Sequence, residues 1–308
     1  MISRRLAANA GAFVAAALFG SSVVAVRVAV QEVPPLSLAV LRFGQGGLLL
    51  VFLLLLVGRR DLLLVKWHDL PLLILLGAVF FAIFPVTFNA SLRLIEASRG
   101  ALLLATIPLW SALLARISRS ERLAPRQVVG VLISLGGVGS ALAERGVGGQ
   151  GGLGTLAGDT LMLVTALCGA AYGVLAQRAF VRYAALTVTA YAMVLGTLLL
   201  LPAAVAEGLV RVLPQLDRQT VALLVFLGVF GGALGFFLWT YALTRLTPTQ
   251  VAMYINLNPL VAILLAAALL AERLTIVFAV GFGAVLVGVL LVNWPKRTEV
   301  EPTDRNRQ

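Results

Sequence analysis

The chain is poor in the residues from which most chemical sites are built. Its 308 residues include one cysteine, Cys168, and one histidine, His68. A lone cysteine excludes an intrachain disulfide, and a lone histidine leaves no cluster able to hold a metal. Charged residues make up only 12 %, too few to clothe an ordinary soluble domain. Carboxylates are scarcer than basic groups, 13 against 24, and none is expected deep inside an apolar run. Proton-driven carriers usually keep an ionisable group in the pathway, so facilitated diffusion, or coupling through groups near the span ends, is the simpler expectation. Phosphate loops, nucleophile elbows and metal motifs are also missing. The chain is therefore not read as an enzyme, and no metal or cofactor is expected.

What it has in abundance is apolar sequence: 60 % of residues are hydrophobic, and the mean hydropathy is +1.01. At about 20 apolar residues per crossing, the length suits ten membrane spans. They are placed at 7–27, 35–58, 70–92, 98–118, 125–143, 157–179, 184–206, 219–244, 248–271 and 274–294. The first is read as a retained span rather than a signal peptide, because Ala7–Val26 runs without a charge for longer than a secretory core. The tail 295–308 is polar and expected to be disordered.

The net charge of +11 is spread between the apolar runs, which argues for membrane topology rather than a nucleic-acid surface. With an even number of spans both ends share one side. That side carries 16 basic residues against 7 on the other, with Arg42 alone inside a span. The excess predicts cytoplasmic termini.

Two stretches repeat at an offset of 151 residues: Pro108 with Pro259, Glu121-Arg122-Leu123 with Glu272-Arg273-Leu274, Gly130 with Gly281, and Gly137 with Gly288. A fainter offset of 149 joins Gly20 with Gly169 and Gly47 with Gly196. Five spans per half is an odd number, so the second copy enters the membrane from the opposite side. The expected fold is all-α and polytopic: ten transmembrane helices in two inverted five-helix repeats, 1–143 and 157–294, joined by a glycine-rich loop at 144–156.

Residues suited to a central site lie on these spans. Pro108 and Pro259 each remove a backbone hydrogen bond near mid-span, beside Thr106 in one half and Asn256 and Asn258 in the other. They are read as helix breaks that permit gating, with simple kinks as the plainer alternative. Phe80, Phe84 and Phe88 share one face of the third span, and Phe236, Trp239 and Tyr241 mark the eighth. Trp110, Tyr172 and Tyr254 lie away from the interfacial belts where such rings usually sit, which favours cavity lining over helix packing. Arg42, well inside the second span, either snorkels or pairs with a carbonyl, or else anchors an anionic substrate. Glycines crowd spans 5, 8 and 10 and imply close helix approach, leaving monomer or homodimer open.

The chain resembles the EamA branch of the drug/metabolite transporter superfamily. The resemblance rests on Phe19-Gly20-Ser21-Ser22, Arg27, Pro34-Pro35 and Arg42-Phe43, and on the mid-helix proline followed thirteen residues later by Glu-Arg-Leu, used twice. The family often has tryptophan where Phe19 stands. The resemblance implies a bacterial inner-membrane protein with a central cavity lined mostly by spans 1, 3, 4, 6, 8 and 9. The substrate-contacting set is then Ser21, Phe84, Phe88, Thr106, Trp110, Tyr172, Trp239, Tyr254, Asn256 and Asn258. The implied activity is export of amino acids or related amphipathic metabolites by alternating access, with the small-molecule substrate and the lipid bilayer as partners and no nucleic acid. The alternatives are another solute class, such as a nucleotide sugar or drug-like cation, and a non-transporting scaffold or sensor.

Overall fold

A computed structural model describes residues 2–56, 64–119, 125–147, 153–246, 251, 254–255 and 257–293. Within them the regular structure is helical, with no strand. In chain order the described helices of eight or more residues are α1 (Ile2–Ala29), α2 (Pro35–Leu56), α3 (Trp67–Leu94), α4 (Ala97–Leu104), α5 (Ile107–Arg119), α6 (Pro125–Val147), α7 (Leu153–Phe180), α8 (Ala185–Glu207), α9 (Arg218–Leu243), α10 (Leu257–Leu270) and α11 (Ile276–Asn293). Helical residues occur in each of the ten expected segments. Seven helices among the described residues are long and apolar enough to cross a membrane: α1 from Arg5, α2, α3, the run Ala97–Leu114, α7, α8 and α9. Two shorter apolar helices, α10 and the Ile276–Val292 part of α11, accompany them.

Three spans are interrupted. The run Ala97–Leu114 breaks between α4 and α5 because Pro108 has no N–H to offer the carbonyl of Leu104. Thr106 manages the break. Its N–H and hydroxyl both donate to the Leu103 carbonyl, at 3.1 and 2.6 Å, and its own carbonyl accepts the N–H groups of Leu109 and Trp110. The other two interruptions are π-helical turns, Ala78–Ile83 in α3 and Phe226–Leu234 in α9. Positions 78–83 moved by the 151-residue offset fall within the second turn.

The helices pack through residues without side chains. On α6 and α11, Gly130 faces the carbonyl of Gly288 and Gly137 faces that of Gly281. At the middle of this crossing Ser134 donates to the Val285 carbonyl at 3.2 Å, and these two are each other's counterparts in the repeat. Gly47 of α2 lies against Val194 of α8, and Gly77 of α3 against Ala192 and Gly196 of α8. Gly20 of α1 sits on the Asn258 carbonyl, and its counterpart Gly169 of α7 sits on Ile107, which is the counterpart of Asn258. Small residues at these crossings let backbones approach where lipid supplies no hydrophobic drive.

One end of the bundle is a rim at which Glu32, Glu207 and Glu272 tie distant parts of the chain by polar bonds. Glu272 accepts the N–H groups of Ala97 and Ser98 at 2.8 and 2.9 Å, capping α4. Glu207 does the same for α2, taking the N–H groups of Leu36 and Ser37 and the Ser37 hydroxyl. Thr220 donates to Glu32 at 2.6 Å. Each cap supplies partners to the orphan N–H groups that begin a helix. At the opposite rim Asp69 accepts from Arg182 and from the Tyr183 hydroxyl, while Tyr183 accepts the Lys66 N–H.

Candidate functional site

Between the rims, side chains from α1, α2, α3, α7 and α9 form a continuous aromatic assembly. Phe80 stacks on Tyr172 with ring centroids 4.3 Å apart, and Phe84 lies 4.7 Å from Phe80 and 5.9 Å from Phe88. Phe236 lies 6.2 Å from Phe80, 5.6 Å from Phe81 and 5.0 Å from Phe19, and Phe19 reaches Trp239 at 6.2 Å. Phe43 joins through an edge contact to Phe81 at 5.3 Å. The π-turn of α3 carries both Phe80 and Phe81. The two rings meet edge to face, with centroids 5.1 Å apart. The assembly is not uniformly apolar. The Tyr172 phenol interacts with Thr189 of α8, and the Thr87 and Thr165 hydroxyls meet at 2.7 Å between α3 and α7.

Four of the expected site residues, Phe84, Phe88, Tyr172 and Trp239, are brought together here. Trp110 satisfies its ring N–H on Thr106, four residues back in the α4–α5 break, at 3.2 Å. The Tyr254 hydroxyl donates to Asn9 at 2.9 Å, and Tyr254, like Trp239, packs against the small core that includes Ala8, Ala12 and Ala242. Ser21 donates back to the Leu18 carbonyl within α1. Asn258 presents its carbonyl to Gly20, Pro259 is buried in the first turn of α10, and Asn256 lies outside the described residues. Thr106 and Pro108 form the α4–α5 break.

Arg42 and Phe236 were singled out in the sequence, whereas Ser22 and Gln45 as site residues, and the pairing of Phe19 with Phe236, were not. Phe19 and Phe236 join α1 to α9. Ser22, Arg42 and Gln45 line the approach of α1 and α2 to the π-turn of α9, where Gly228 and Gly231 leave room for them. Arg42 does not snorkel. It is 7 % exposed, its guanidinium lies 4.8 Å from the Phe43 ring centroid, and it makes no ion pair or hydrogen bond among the described residues. Among the described residues the one buried ion pair within the spans is Arg99 with Asp159, a two-pronged contact at 2.7 and 2.6 Å between side chains 8 % and 9 % exposed. Asp159, expected at a span end, stands nearly two turns inside because α7 begins at Leu153. No group of acidic, histidine or cysteine residues suited to a metal occurs among the described residues.

The EamA-like transporter family matches residues 6–142 and again residues 156–294. The chain belongs to that family. It is 28 % identical over 274 residues to an uncharacterized transporter of Archaeoglobus fulgidus, covering 89 % of this chain and 94 % of the relative. It is 30 % identical over 226 residues to a probable terminal-alkyne amino-acid exporter of Streptantibioticus cattleyicolor, covering 73 % and 74 %. Over 284 residues it is 25 % identical to the uncharacterized inner membrane transporter YedA of Escherichia coli K12, covering 91 % and 88 %. A solved crystal structure 20 % identical to it covers 92 % of this chain and 94 % of its own, with a TM-score of 0.66, which shows a shared fold. This EamA-like protein is thus a multi-pass membrane transporter.

Proposed function

We propose that this EamA-like transporter exports amino acids or related small amphipathic metabolites across a bacterial inner membrane by alternating access. The carrying observation is the aromatic assembly. Both family-matched segments contribute to it, Phe19, Phe43, Phe80, Phe81 and Phe84 from one and Tyr172, Phe236 and Trp239 from the other. Rings bordered by hydroxyls accept an apolar side chain at one end and polar groups at the other. The relative named as a probable amino-acid exporter supports the solute class, and the one named as an inner membrane transporter supports the compartment.

Ten spans in two inverted repeats, 1–143 and 157–294, give the alternating-access scheme its symmetry. The α6–α11 crossing supports this reading, since counterparts meet there head to tail. On the basic-residue count the rim of Glu32, Glu207 and Glu272 faces outward, with both termini in the cytoplasm. Thr106, Trp110, Pro108 and Pro259 then act at helix breaks that change shape between states. Ser21, Phe88, Tyr254, Asn256 and Asn258 complete the contact set.

The test is counterflow in proteoliposomes loaded with each of the common amino acids. Saturable exchange of one or more, weakened by Phe80→Ala or Tyr172→Leu in correctly folded protein, is expected. No saturable flux for any of them would remove the amino-acid reading.

A further inference from the structure

We propose that Arg42 is the anchor for a carboxylate of the transported solute, an assignment that rests on the transport reading above and narrows its substrate class. Arg42 is buried to 7 % exposure within the helix bundle, yet it lacks the counter-charge that Arg99, the other buried arginine among the described residues, has. Arg99, equally buried, is held by Asp159 with two hydrogen bonds. Arg42 has no carboxylate, carbonyl or hydroxyl bonded to it among the described residues, and its Nε–H is shut away from water without an acceptor. Withdrawing a guanidinium from water without a partner is costly. A carboxylate arriving with the solute supplies the missing acceptors in the geometry that a planar, forked donor prefers.

The surroundings fit that role. The guanidinium ends over Gly231 in the π-turn of α9, with Nη2 3.9 Å from where a β-carbon would stand, and Ser22 faces the same glycine from α1. A side chain at Gly231 would press on the Ser22 hydroxyl and crowd the guanidinium. One turn along α2, the Gln45 amide fills the space left by Gly228. The other flank of the guanidinium is the Phe43 ring, which leads through Phe81 and Phe236 into the aromatic assembly. A cation at one edge of an aromatic surface matches a solute with a carboxylate head and an apolar body.

The test uses purified full-length protein and four probes of one shape: L-phenylalanine, its methyl ester, 3-phenylpropionate and phenethylamine. Thermal stabilisation is measured at constant ionic strength, and each probe competes against counterflow of the best amino-acid substrate. The two carboxylates are expected to act at about tenfold lower concentration than the ester and the amine. Arg42→Gln removes that preference, and Arg42→Lys retains part of it. Equal action of acid and ester on the wild type, which needs no variant, overturns the anchor, as does equal stabilisation by chloride or by no carboxylate at all. Amino-acid flux that is blind to the carboxylate sinks the anchor and leaves the transport reading standing. Acid-selective stabilisation lost in Arg42→Gln, without flux of any amino acid, does the reverse.

Discussion

Gly130→Ala and Gly136→Ala place the same methyl group on the same helix, α6, and the structure assigns them opposite consequences. A β-carbon at Gly130 would stand 2.6 Å from the Gly288 carbonyl oxygen, 0.8 Å short of the 3.4 Å where ordinary contact begins. It would also meet Leu291 Cβ and Val292 Cγ2, each at 3.0 Å. The carbonyl is backbone, so no rotamer change relieves the clash and α11 has to move. Such overpacking costs about 1–3 kcal/mol. A β-carbon at Gly136 meets nothing within 4 Å. Replacing glycine by alanine inside a helix contributes about 0.8–1.0 kcal/mol of stability through reduced backbone entropy. That gain is common to both variants, so their difference isolates the packing cost, about 1–3 kcal/mol. Paired thermal unfolding in one detergent is the assay, with Gly136→Ala at or above wild type and Gly130→Ala below it. Indistinguishable midpoints, or the reverse order, would refute the close crossing of α6 and α11.

Three further outcomes are expected. Asp159→Asn leaves Arg99 buried without its counter-ion and destabilises by about 3–5 kcal/mol, whereas Arg99→Met with Asp159→Leu recovers most of that loss; a double variant no better than the single contradicts this in thermal unfolding. Pro108→Ala allows α4 and α5 to fuse, recovering up to about 3 kcal/mol of helix stability while lowering flux at matched protein density; wild-type flux would reduce the break to a harmless kink. Tyr183 donates its phenolic proton to the Asp69 carboxylate, which raises its pKa above the ordinary 10.0. Its stabilising contribution is therefore complete below that value and is lost as pH climbs through the raised one, so Tyr183→Phe should flatten the alkaline fall in thermal midpoint. An unchanged alkaline limb argues against the bond.

Apolar run length located the helices, because lipid leaves the backbone few alternatives to a helix. The α4–α5 break was legible for a local reason: proline lacks an N–H wherever it stands. The π-turns were not anticipated, although Ala78–Ile83 ends two residues before Pro85, which has no N–H for the Phe81 carbonyl, and Phe226–Leu234 carries Gly228, Gly231 and Gly232. The turn in α3 carries both Phe80 and Phe81, which lie at the centre of the aromatic assembly. The glycine clusters announced close approach without saying which members make it. Gly130 and Gly137 do, while Gly136 and Gly139 face open space. Trp110 looked available to a cavity, but Thr106 four residues earlier supplies its partner. Glu272 stood out as half of a repeated tripeptide, yet its work as a cap on α4 lies 175 residues away and exists only in the folded bundle.

That distance sets the order in which the chain can complete itself during synthesis. The amides of Ala97 and Ser98 enter the membrane long before Glu272 has been made, and those of Leu36 and Ser37 precede Glu207. Arg99 likewise precedes Asp159. During synthesis the early helices therefore have open ends and an unmatched charge until the later segments that supply their partners have been made. A nascent chain released at the glycine-rich loop would carry those debts uncancelled, giving cellular quality control a physical mark by which to tell an unfinished protein from a finished one.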